Sequence, residues 1–232
     1  MAAEPLLLLP GMMCDAHLFW HQIIAFSSTR PVLVAPLTEG STIEEMADAV
    51  LQIAPPVFAV AGHWLGGLVA MEILRRVPDR VARIALLDVS PLSETPQVAA
   101  QREARIVRAR SGKLIEALLD EVPAQALAPG PGRIDIQAMM LEMAEALGPD
   151  VFQRQSRALM RRPDQQRTLR NTRVLGLLAC GEHDTLCPPR RHEFLAELMP
   201  NADFRLIRDA GHLAPLEQPE AVTAVLQDWL DR

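Results

Sequence analysis

Three short stretches of this 232-residue chain carry side chains that could do chemistry together. Gly181-Glu182-His183-Asp184 follows the apolar run Val174 to Cys180, and Asp209-Ala210-Gly211-His212 follows the run Phe204 to Ile207. A histidine becomes a proton carrier when a carboxylate holds one ring nitrogen and turns the other toward the reacting group. Asp184 and His212 each stand just past the end of an expected strand, where open α/β sheets form their ligand crevice. The third stretch is Val57-Phe58-Ala59-Val60-Ala61-Gly62-His63-Trp64-Leu65-Gly66-Gly67-Leu68. It reads as a strand bounded by Pro55-Pro56, a sharp turn and a helix ending near Pro78, with Gly62 and Gly66 where backbones must nearly touch. Such a turn thrusts its central side chain outward, and the central residue here is Trp64. Indole has no nucleophilic oxygen and forms no acyl intermediate, so the attacking atom is missing.

Other residues compete for roles. Asp88, at the end of its own strand, is the alternative acid. His63 is expected to point away from the reacting centre and to pack or hydrogen-bond, and His183 to be solvated. Cys14 is the first candidate to replace the missing nucleophile, although nothing visible lowers its pKa, and Cys187 is a weaker one. Asp15 and His17 lie in the same loop as Cys14, as polar residues within reach of a substrate. The three cysteines show neither CxxC nor Cys/His spacing, so no disulfide framework, metal site or cofactor is expected. The absence of Tyr excludes acid catalysis by that side chain.

The elements that must position these groups alternate. Leu6-Leu7-Leu8-Leu9 is a continuous apolar run, the pattern of a strand buried on both faces, and Pro10 to Asp15 follows as a tight loop. Pro31 to Pro36 is the next strand. Ser41-Thr42-Ile43-Glu44 reads as a capping box before a helix whose apolar face is Ile43, Met46, Ala47, Val50, Leu51 and Ala54. Arg83 to Asp88, Val174 to Cys180 and Phe204 to Ile207 supply further strands, and Pro219 opens a closing helix with Val222, Val225, Leu226, Trp229 and Leu230 on one stripe. Alternation of strand and helix implies a parallel sheet. From about Pro91 to Arg170 strand-like runs vanish; helices are expected over Pro96–Ser111, Lys113–Glu121, Ile134–Leu147 and Asp150–Arg161.

Gly62-His63-Trp64-Leu65-Gly66-Gly67 resembles the Gly-His-Ser-x-Gly-Gly nucleophile elbow of the α/β-hydrolase superfamily, close to its small esterase-like members. The likeness covers almost the whole chain, and the order of elbow, acid and histidine matches. It implies an α/β-hydrolase fold, a mostly parallel sheet flanked by helices with an inserted helical cap and a trimmed N-terminus. Residues 1–90 and 171–232 would form the core and residues 91–170 the cap. The resemblance further implies Asp184 and His212 as the catalytic pair, Trp64 at the nucleophile position, and the amides of Met12 and Leu65 as the oxyanion hole. The cap would roof the site, with Met139, Met140, Met143, Leu147, Leu159 and Met160 as its apolar underside or its own core. The function implied is an esterase-type hydrolase of small, uncharged esters or similar carbonyl compounds. Two alternatives stay open: a non-catalytic ligand-binding member, and a cofactor-free lyase or oxygenase-like enzyme that uses the His-Asp pair alone. Trp64 belongs either to the lineage or to a substitution of a parental Ser.

Composition bounds the partners. A net charge of −6 argues against nucleic acid and against an anionic membrane surface, leaving a small molecule as the expected partner. The run Leu6 to Leu9 is too short to span a bilayer and lacks the flanks of a signal, so a cytoplasmic location is the default. At 49% hydrophobic and 22% charged residues, the chain has an ordinary globular balance.

Overall fold

The computed structural model describes residues 3–232. Its six strands are β1 (Leu6–Leu9), β2 (Val32–Val34), β3 (Phe58–His63), β4 (Val81–Leu87), β5 (Leu175–Gly181) and β6 (Ala202–Ile207). They form one sheet in the order β2-β1-β3-β4-β5-β6, with every neighbouring pair parallel. Every residue of β1 and β3 is buried, because both lie inside the sheet with helices on its faces. β2 and β6, at the two edges, are largely half-buried.

Parallel neighbours require crossovers, and helices supply them. α1 (Trp20–Ser27) packs near the closing helix, while α2 (Ile43–Ile53) packs on α3 (Leu65–Arg76). α3 is buried from Leu65 to Leu74, as the central helix behind the elbow must be. It carries Glu72 inside, held by two hydrogen bonds from Arg75 and one from Gln165. The capping box of α2 sits one residue later than the sequence suggests. Thr42 is the N-cap and accepts from Glu45 N at 3.1 Å, while Glu45 Oε2 accepts from Ser41 N at 2.6 Å. Both registers satisfy the same Ser/Thr-x-x-Glu spacing; Ile43 at the first helical position brings the apolar face onto α3.

The polypeptide between β4 and β5 is helical throughout: α4 (Pro96–Arg110), α5 (Leu114–Glu121), α6 (Arg133–Met160) and α7 (Gln166–Asn171), with no strand among the described residues 91–170. The two helices expected over Ile134–Leu147 and Asp150–Arg161 run together as α6, broken at Gly148 (φ 80°, ψ 173°). Gly accepts that conformation without strain, and Pro149 after it has no amide to leave unpaired. α4, α5 and α6 pack against one another, and α6 is tied to the sheet by buried Gln155. Its Oε1 accepts from Met13 N at 2.8 Å and its Nε2 donates to Leu37 O at 2.9 Å. The chain closes with α8 (Pro189–Leu198), α9 (Ala214–Glu217) and α10 (Pro219–Leu230), the last burying Val222, Leu226, Trp229 and Leu230. No helix among the described residues is long and apolar enough to cross a membrane.

Backbone strain gathers at one edge of the sheet. Among the described residues, the non-glycine residues at positive φ are Met13, Trp64, Asp88 and Asp209, which follow the carboxyl ends of β1, β3, β4 and β6. Such conformations persist where the surroundings over-determine them, often at functional sites.

Candidate active site

The elbow is built by close approach. A Cβ on Gly62 would overlap the Gly66 carbonyl oxygen, and one on Gly66 would overlap Leu9 O, so only glycine lets α3 follow β3 this tightly. Between them Trp64 stands at φ 43° and ψ −105°, its amide donating to Leu87 O at 2.9 Å. Leu65 opens α3 and its amide has no helical acceptor.

Asp184 and His212, both buried, meet at the carboxyl ends of β5 and β6. His212 Nδ1 donates to Asp184 Oδ2 at 2.9 Å, while Asp184 Oδ1 accepts from Leu186 N at 2.7 Å and Cys187 N at 2.9 Å. Burial opposes the charge on Asp184, but the His212 ring and those two amides outweigh it and hold the carboxyl below its ordinary value. The His212 backbone is clamped twice: its amide donates to Ala126 O at 2.7 Å, and its carbonyl accepts from His63 Nε2 at 2.6 Å. The free ring nitrogen, Nε2, has no partner. The Trp64 indole stands edge-on against the His212 ring, with centroids 4.8 Å apart and planes at 83°. The side chain of His212 has no exposed surface at all.

Asp88, the alternative acid, is not on His212. Its Oδ1 accepts from Gly181 N at 2.9 Å, and its Oδ2 lies 3.7 Å from His63 Nε2 without a hydrogen bond. Burial and the charge of Asp184 push its carboxyl well above the ordinary range, so it holds a proton where Asp184 does not. His63, expected to point away from the reacting centre and to pack or hydrogen-bond, packs and hydrogen-bonds but does so against His212 itself, with ring centroids 5.1 Å apart. Burial and the neighbouring His212 push it down to about 3. Cys14 makes a poor nucleophile, because burial and Asp15 push its thiol up to about 12. Asp15 and His17 are taken up with each other: Asp15 caps a short 3-10 turn and accepts from His17 N and Nδ1, both at 2.8 Å. His183, half-buried, groups with Glu182 and Asp209 at the surface.

A cavity of about 530 Å³ has Trp64 in its wall, and none of the cap methionines lines it. Met140 and Met143 are instead buried within the helical layer, and Met139 is exposed. The wall holds a buried ion cluster that the sequence reading missed. Arg102 spans Glu94 (2.9 Å) and Glu121 (2.6 Å), Arg162 adds to Glu94 (2.7 Å), and Arg105 adds to Glu121 (3.0 Å). These residues come from two helices, α4 and α5, and from the loops before α4 and after α6, and α4 alone reads as a solvated Arg-rich face. Gln155 and His192, whose Nε2 accepts from Val89 N at 3.1 Å, were missed for the same reason.

Asp184, Cys187 and His212 have potential ligand atoms within 4.8 Å of one another. Burial and Asp184 push the Cys187 thiol far up, and Asp184 already accepts from two amides and a ring, so the set suits a proton relay better than a metal.

A parallel sheet of this order, an elbow after β3, and an acid and a histidine past β5 and β6 accompany a direct sequence match. The family described as "Alpha/beta hydrolase family" matches residues 6–225. The chain belongs to the alpha/beta hydrolase family. Among its relatives is a pimeloyl-[acyl-carrier protein] methyl ester esterase of Aromatoleum aromaticum, 29% identical over 209 residues, covering 82% of this chain and 80% of that one. A thermophilic esterase from Thermogutta terrifontis superposes with a TM-score of 0.88 at 25% identity, covering 98% of this chain and 89% of that one. The enol-lactonase from Burkholderia xenovorans LB400 shares the fold, with a TM-score of 0.85 at 23% identity over 99% of this chain and 92% of its own.

Proposed function

We propose that this hydrolase-family chain keeps the proton-transfer machinery of an esterase for small carbonyl substrates and is blocked at acylation by Trp64. The observation that carries this reading is the state of His212. Asp184 holds its Nδ1, while Nε2 is unpartnered and its ring lies against the residue at the nucleophile position. A hydroxyl at position 64 would stand where the indole now meets that ring. It would attack the ester carbonyl, pass its proton to His212 Nε2, and form an acyl-enzyme as the alcohol leaves with that proton. The amides of Leu65 and Met12 are the proposed donors to the developing oxyanion. Residues 91–170 act as the cap, and Gln155 holds the Met12 loop in register through Met13 N.

The sealed ring argues against the other nucleophile-free routes. Water activation, lyase and oxygenase-like chemistry all require a reactant at His212 Nε2, and the indole fills that approach. A second reading is supported by the cavity beside the indole: as it stands, the chain binds its ligand without turning it over. Turnover of p-nitrophenyl acetate and butyrate by Trp64→Ser, with His212→Ala in the serine background, tests the proposal. We expect the serine form to gain several orders of magnitude, since losing a triad member typically leaves only residual catalysis, about 10³–10⁴-fold over water in the serine-protease case. A folded serine form that stays inert across an ester panel would overturn the esterase reading. Ester turnover by the tryptophan form that His212→Ala abolishes would show that water reaches the ring.

A further inference from the structure

The cavity beside Trp64 is charged, and its charges do not cancel. Glu94 and Glu121 are its two interior carboxylates, with side chains 3% and 4% exposed. Three guanidiniums, Arg102, Arg105 and Arg162, already bond to them, leaving one positive charge over. Asp120 on the same wall is taken by Arg108 and contributes nothing net. Arg191, from the first turn of α8, also lines the cavity, is half-buried, and makes no ion pair among the described residues. Two positive charges are therefore uncompensated inside a concave site of a protein whose net charge is −6. A partly desolvated guanidinium without a partner is costly, and a planar carboxylate is the ligand that matches its fork. The uncharged lining mixes apolar Trp64, Leu68, Val89 and Leu186 with Ser90, Ser93, Thr95 and Gln101.

From this division we propose that the cavity takes a half-ester of a small dicarboxylic acid. The free carboxylate lies among Arg191 and Arg105, and the ester end lies toward residue 64. This departs from the expectation of an uncharged substrate, and it rests on the reading of the cavity as the substrate site. A neutral diester of the same length lacks the group that the arginines select.

The test needs no turnover, so it stands apart from the serine experiment. Monomethyl glutarate and dimethyl glutarate are titrated into the protein as it exists, by calorimetry and by quenching of tryptophan emission, with Trp64→Phe to assign the signal. The half-ester is expected to bind at least about tenfold tighter than the diester, and to weaken as salt is raised. Arg191→Gln should remove most of that preference while leaving the diester unchanged, and Arg191→Lys should retain part of it. Because Arg191 has no ion-pair partner, its loss strands no carboxylate, and circular dichroism checks that the variant is folded. Equal affinity for the two esters, no binding of either, or a preference that survives Arg191→Gln would overturn the proposal. Binding of inorganic phosphate without discrimination between the esters would also overturn it, assigning the arginines to another oxyanion.

Discussion

At the scale of single residues, two buried carboxylates near His212 have opposite protonation states, and geometry decides which one orients the ring. Asp184 touches His212 Nδ1 and is held below its ordinary value; Asp88 bonds Gly181 N and is pushed well above its own. In the Trp64→Ser background, Asp184→Asn should therefore cut ester kcat by roughly 10³–10⁴, the scale of the corresponding trypsin change, through loss of the correct tautomer. Asp88→Asn replaces a carboxyl that is already neutral with a group of the same shape, and should leave kcat within about tenfold. Steady-state kinetics on p-nitrophenyl butyrate checks both, and a larger loss from Asp88→Asn would make Asp88 the orienting acid. Asp184 and His212 were both readable as candidates, because each stands at a strand end in the order a triad requires. The neutrality of Asp88 was not readable, since it arises from burial beside Asp184, far away in sequence.

At the scale of elements, the strands and the elbow were legible because their signals are local. Four consecutive leucines, prolines that bound runs, and glycines at 62 and 66 each specify a conformation without help from the rest of the chain. What joins the elements was not legible. Gln155 on α6 bonds Met13 N and Leu37 O across more than a hundred residues, and nothing about a glutamine on a helix announces it. Sequence left the cap methionines either on its underside or in its own core; the interior of the helical layer absorbed Met140 and Met143, and charged residues took the cavity wall. Gln155→Leu should then cost about 1–3 kcal/mol in urea unfolding, since it strands a buried amide and a buried carbonyl. In the serine background it should also lower kcat more than it raises KM, because the Met13 amide it holds adjoins the proposed oxyanion donor Met12. A variant with unchanged kcat would leave Gln155 a purely structural tie.

At the scale of the whole molecule, the same buried groups give the fold a pH dependence. His63 and His192 are pushed down from about 6.5 to about 3 and about 4, burial being the largest cause for each. In the unfolded chain both protonate as pH falls through their ordinary value near 6.5, whereas the folded chain keeps them neutral. Their depressed folded values thus contribute stability that is present above pH 6.5 and lost on acidification toward 4 and 3. Asp88 works in the other direction. Its raised carboxyl binds a proton in the folded state while the unfolded chain is still ionised, so acidification through its folded value stabilises the fold until the unfolded carboxyl also protonates near pH 3.8. The two histidines therefore make the fold less stable as pH falls below 6.5, and the raised Asp88 carboxyl opposes that loss. Urea midpoints should fall as pH drops below 6.5. His63→Gln, which keeps a donor for His212 O, should flatten that slope, and Asp88→Asn, which removes the opposing group, should steepen it. If His63→Gln leaves the slope intact, the acid sensitivity originates outside the layer of side chains behind the elbow.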